Sequence, residues 1–133
     1  MHTPRKARSS GCLRIAVPII ILLVLGIYSA VPHPTHNQTT LKALAAESQR
    51  LMAAQPINPT EKLTWIPKDQ WPPEIASLNP EYVFVSHDSV NITTKPFFDG
   101  GWGYGFARDT RPLGMLEECW SELGHDMFWH GPC

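Results

Sequence analysis

The chain has no charged residue between Ile15 and Leu41, and no acidic residue ahead of that gap. The second absence leaves a purely basic leader with Arg5, Lys6, Arg8 and Arg14, whereas residues 33–133 hold seven cations against twelve acids. The formal net charge of −1 therefore divides into +4 and −5. An acidic body of this kind argues against nucleic acid as a partner and against adhesion to anionic lipid, although the cationic end keeps that second affinity. Cysteine is scarce, at three residues, and no internal repeat is present. Familiar catalytic signatures are missing as well. The run Gly101-Trp-Gly-Tyr-Gly105 lacks the G-x-G-x-x-G spacing and leads into neither a lysine nor a helix start, which argues against a phosphate cradle. Ser86, Ser89 and Ser121 have no nucleophile-elbow context, and Cys119 has no local nucleophile signature.

What fills the uncharged gap is a near-continuous apolar strip from Ile15 to Val31, with Pro18 in its first turn and Pro32 and Pro34 just beyond its end. Its length, roughly 25 Å as a helix, predicts a short transmembrane signal-anchor. Four cations precede the strip and only Lys42 follows closely, so the N-terminus is expected in the cytosol and the C-terminus outside it. A cleaved signal peptide, which would make the product a secreted small protein, is the alternative. It would place bulky Tyr28 or Ile27 at the third position before the cut. The expected organisation is a basic cytosolic leader (1–14), a membrane helix (15–31), a juxtamembrane segment with an amphipathic helix (32–55), a Pro/Trp-rich connector (56–81) and a small domain (82–133).

Beyond the strip, Leu41, Leu44, Ala45, Ser48, Leu51 and Met52 recur at helical spacing from Thr40, with Lys42, Glu47, Gln49 and Arg50 on the polar face. The connector interleaves six prolines with Trp65, Ile66, Trp71, Ile75 and Leu78, and Pro73 to Leu78 suits one helical turn. Tyr82 to Ser86 and Val90 to Thr94 flank the polar turn His87-Asp-Ser89, predicting a β-hairpin. From Phe98 to Phe106 aromatics fall on one parity and glycines on the other, which adds a third strand with one nearly bare face. Met115 to Leu123 is expected as a short helix stopped by Gly124, and the tail from His125 has no readable period. The fold class expected is α+β: one transmembrane helix, then an extracytoplasmic domain with an antiparallel sheet of about three strands and one or two helices.

Several residues are candidates for chemistry. Cys119 and Cys133 are the pair open to a disulfide, in a loop of about fifteen residues worth on the order of 3 kcal/mol. Asn37 and Asn91 match the glycosylation acceptor pattern, relevant only in a eukaryotic host. Trp102 and Tyr104 are the candidate binding residues, as rings that would stack on a glycan. Cys119, His125, His130 and Cys133 form a C-x5-H-x4-H-x2-C series that fits no common zinc pattern, so no metal is assigned. His87-Asp88, Asp99, Asp109 between Arg108 and Arg111, and His125-Asp126 are the acid-base candidates for a small hydrolase. Neighbours in sequence point apart, so none is a dyad by itself, and no catalytic residue is assigned. The role expected is a non-enzymatic, anchored interaction or accessory module without cofactor, its partners the lipid bilayer and another membrane or extracytoplasmic protein. Glycan-binding module and small hydrolase are the alternatives.

Overall fold

A computed structural model describes residues 11–54, 63–98 and 100–133, with the backbone alone for 11–15. The chain divides into two units, Met1–Pro32 and His33–Cys133. In the first, helix α1 (Gly11–Ala30) holds Pro18, and its large side chains from Val17 to Tyr28 stand at least half exposed. The expectation of a transmembrane signal-anchor, and with it a single-pass membrane localisation, is corrected. No helix among the described residues is long and apolar enough to cross a membrane. The physical reason is length: Ile15 to Ala30 rises only about 24 Å as a helix, against a hydrocarbon core of about 30 Å. The basic leader lies outside the described residues, apart from the helical backbone at 11–14.

The second unit is α+β, with six antiparallel strands where the sequence reading expects about three. The strands are β1 (Thr64–Trp65), β2 (Tyr82–Val85), β3 (Val90–Lys95), β4 (Trp102–Phe106), β5 (Trp120–Gly124) and β6 (Met127–His130), in spatial order β1-β2-β3-β4-β6-β5. The missed strands have physical explanations. Strand β6 lies between β4 and β5 with all four residues buried, so it shows no polar alternation for a pattern to reveal. The helix expected over Met115 to Leu123 is instead a 3₁₀ turn at Glu117–Cys119 followed by β5. Helical spacing and strand alternation are both satisfied by so short a segment, and pairing with β6 decides between them. Gly124 ends a strand rather than a helix, at φ 98°.

Register sorts the sheet into two faces. Val83, Ile92, Tyr104 and Trp129 align across β2, β3, β4 and β6 on one face, as do Val85, Val90, Phe106 and Met127. Against this face packs helix α2 (Gln38–Ala54) through Leu41, Leu44 and Leu51. Asn37 caps that helix, its side-chain oxygen accepting from the N–H groups of Thr39 (3.0 Å) and Thr40 (3.3 Å). The connector belongs to the same core: Ile66 and Ile75 are buried, and the Trp71 indole donates to the Ile66 carbonyl at 2.9 Å. Helix α3 (Pro73–Ser77) is preceded by Pro72, which offers no side-chain cap. Glu47 of α2 supplies it, accepting from the N–H groups of Glu74 (2.9 Å) and Ile75 (3.1 Å). The sequence reading puts Glu47 on the polar face; the structure buries it.

The opposite face carries a second core of Ala107, Leu113, Trp120 and Phe128, with Met115 and Cys119 against it. Here the glycine parity of β4 has its use. A Cβ at Gly105 would lie 2.8 Å from the Leu113 methyls and the Trp120 ring, so the bare strand lets Trp120 lie directly on the sheet. Cys119 and Cys133 form a disulfide, Cα–Cα 5.7 Å, which ties the last residue to the start of β5.

Candidate functional site

Three connections meet at one end of the sheet: the β2–β3 turn, the segment leaving β4, and the β5–β6 turn. Together with the side of α2 they enclose an open cleft of about 1140 Å³. Its apolar lining includes Ala45 and Met52 from α2 and Phe106, Ala107 and Pro112 from the strand side. Its polar lining is charged with both signs. Lys42 and Gln49 come from α2, His87 and Asp88 from the first turn, Arg108, Asp109 and Arg111 from the segment after β4, and His125 and Asp126 from the last turn. Thus His87-Asp88, Asp109 with its arginines, and His125-Asp126, separate in sequence, converge in space. Asp99 lies outside the described residues.

The carboxylates differ in how far they are engaged. Asp109 holds Arg111 in a forked pair, with Nη2 to Oδ2 at 2.6 Å and Nε to Oδ1 at 3.0 Å, and it also accepts from the Arg111 backbone N–H. The guanidinium lowers the Asp109 pKa below the ordinary carboxylate value, chiefly through these hydrogen bonds. Asp88 accepts the Ser86 hydroxyl at 3.1 Å, in a turn where the Ser86 and Ser89 hydroxyls are 2.7 Å apart. Among the described residues Asp126 makes no side-chain hydrogen bond or ion pair, and neither His87 nor His125 hydrogen-bonds a carboxylate. The arrangement thus supplies charges and hydrogen-bonding groups without an oriented acid-base pair.

The β5–β6 turn is held in an unusual backbone state. Gly124, His125 and Asp126 all have positive φ, at 98°, 56° and 60°, and a register shift interrupts the pairing between Glu122 and Gly124. A two-residue reversal with both residues left-handed favours Asn-Gly or Asp-Gly; side chains other than glycine pay about 1–2 kcal/mol each there, less for aspartate. Asn79, the other such residue among those described, simply follows the end of α3, an ordinary place for asparagine.

The remaining sequence-predicted residues lie elsewhere. Tyr104 is buried, its hydroxyl accepting from the Thr35 N–H at 2.8 Å, and burial raises its pKa against the lowering effect of that hydrogen bond. Trp102 is half-buried against Phe97, with the Lys95 amine over its ring at 5.6 Å. Aromatic parity in β4 thus turns Tyr104 into the core that packs on α2, with Trp102 partly buried against it. Among the described residues of the second unit, the exposed aromatic rings are Trp65, Tyr82, Phe97 and Phe98. Asn37 is exposed and Asn91 half-buried. The Cys/His series is split, since Cys119 and Cys133 are bonded and His125 belongs to the cleft, and no metal-binding cluster occurs among the described residues.

His130 is buried on the second core, its ring edge-on to Trp120 at 4.6 Å with Nδ1 unpartnered, and burial lowers its pKa. Sequence reasoning missed Lys42, Gln49 and Met52 as cleft residues and Glu47 as a cap. Only the helical period of α2 bears on them, and it cannot say which flank meets the turns. No family model, curated protein or solved structure matches this chain.

Proposed function

We propose that this protein is a non-enzymatic interaction module whose cleft receives a polypeptide segment of a partner protein. One observation carries the reading: an apolar floor, with Met52 and Phe106, lies under a rim of charges of both signs drawn from four separate segments. An apolar centre within a polar rim is the common anatomy of a protein interface. At about 1140 Å³ the cleft exceeds the volume that a small ligand ordinarily fills, roughly 300–1,000 Å³, and its open side suits a chain passing through. The uncommitted histidines and Asp126 serve recognition in this reading, because none is oriented for proton transfer. Site-directed photocrosslinking in the source cell tests it. A photoreactive residue replacing Gln49 forms a discrete protein adduct that the same residue at exposed Ser77 does not form. Equal adducts from both positions, or none from position 49, refute the reading.

A further inference from the structure

The face of the sheet turned away from α2 is covered over only half its width. Ala107, Leu113, Trp120 and Phe128 close it over β4, β6 and β5, whereas β1, β2 and β3 present side chains that belong to neither core. Register names them. Trp65 aligns with Phe84 and Phe84 with Asn91, and Tyr82 aligns with Thr93 one pleat further along. Trp65 and Tyr82 are 54% and 43% exposed, Phe84 is half-buried, and the Tyr82 and Phe84 ring centroids stand 6.3 Å apart. The open face of an antiparallel sheet ordinarily carries polar side chains, yet three of these five are aromatic rings. Core packing does not call for them there.

Asn91 supplies an independent observation. Asparagine is depleted in strands, but here it stands in the interior strand β3 between Phe84 and Gly105, half-buried and with no side-chain hydrogen bond among the described residues. Its amide keeps donors and an acceptor for a ligand lying on the rings, and the Thr93 hydroxyl is likewise unengaged. Chemistry then limits the occupant. The five side chains carry no formal charge and so offer nothing to phosphates, and β1, with two residues, is too short an edge to take up a partner's strand. A pyranose ring combines an apolar C–H face with a rim of hydroxyls, which complements flat rings beside a free amide. We infer that this half-face is a binding platform for a neutral glycan, with Trp65, Phe84 and Tyr82 under the sugar rings and Asn91 and Thr93 hydrogen-bonded to their hydroxyls. The cleft shares none of these residues, so the inference stands or falls apart from the reading above.

The full-length chain applied to a printed array of neutral, sialylated and sulfated oligosaccharides tests this. Neutral oligosaccharides are retained, and raising the salt leaves their binding unchanged because no ion pair forms. In titrations with a retained oligosaccharide, affinity falls roughly five- to twentyfold on Trp65→Ala and roughly three- to tenfold on Asn91→Ala, and Trp65→Phe recovers most of the first loss. Trp65 is exposed on the edge strand, so its variants keep the wild-type unfolding midpoint. Phe97→Ala, which removes an exposed ring outside the platform, changes affinity by less than about twofold. The inference falls if the array retains nothing, if only acidic sugars bind, or if Trp65→Ala binds as wild type does. It falls as well if a concentration-dependent dimer disappears on Trp65→Ala, which would give the face to a second copy, or if the native chain carries a covalent glycan of its own on Asn91.

Discussion

Removing the Glu47 carboxylate should cost this small domain a large part of its stability, although its contacts involve only one short helix. Glu47 is 9% exposed, and its Oε2 accepts two backbone N–H groups in the first turn of α3 at 2.9 and 3.1 Å. Pro72 provides no cap, so Glu47→Ala leaves both donors without their partner beside the fully buried Ile75. Losing a helix cap costs about 0.5–2 kcal/mol, and a hydrogen bond to a charged group is worth about 1.5–3 kcal/mol. The two descriptions overlap, so the expected loss is about 2–4 kcal/mol. For a domain of about 100 residues this lowers the melting temperature by roughly 10–25 °C. Glu47→Gln keeps an acceptor oxygen in place without the charge and should lose about half as much. Guanidinium unfolding of the full-length chain, followed by tryptophan emission, reads both variants, and an unchanged slope certifies that the midpoint shift is a stability change. A loss below about 0.5 kcal/mol for alanine, or equal losses for glutamine and alanine, would refute tertiary capping as the tie between α2 and α3.

Other consequences concern the second face of the sheet. Gly105→Ala would drive a methyl into Leu113 and Trp120 and should cost about 1–3 kcal/mol. Gly103→Ala should cost more in the same unfolding assay, because its methyl meets the Ile92 carbonyl and the Thr93 backbone, which cannot turn aside. His130 has a depressed folded-state pKa, so below about pH 6.5 the unfolded chain binds a proton that the folded chain refuses. Stability contributed by neutral His130 is therefore complete above that pH. It falls as the medium is acidified, by at most about 1.4 kcal/mol per pH unit, until the folded-state pKa is reached. The difference in stability between wild type and His130→Phe, measured from pH 8 to 5, should shrink or invert toward acid; a constant difference contradicts the assignment. Cys133→Ser, or reduction of the Cys119–Cys133 bond, should remove on the order of 3 kcal/mol, and an unaltered calorimetric melt would show that the last residues add nothing.

Local pattern alone was enough to show the β2–β3 hairpin, the helical turn after Pro72 and the core stripe of α2. In each the deciding signal, alternation, proline placement or a period of 3.6, is complete within a few residues. It also singled out the three polar pairs that now line the cleft, without indicating that they meet. The membrane span failed on a quantity that the sequence contains, since Ile15 to Ala30 is shorter than a hydrocarbon core requires.

Tertiary structure alone decided the rest, because its determinants are relations between distant residues. Strand β6 is buried on both faces, and so has no alternation until β4 and β5 are laid beside it. Segment 120–124 satisfies either period until β6 pairs with it. Glu47 is indistinguishable from its exposed neighbours until an uncapped helix arrives 27 residues later in the chain. Composition and spacing thus determined that this chain has a basic leader, an apolar strip, an acidic body and a mixed α+β content. Which charges share a cleft was decided by the order of strands in the sheet, since that order brings three remote turns to one end.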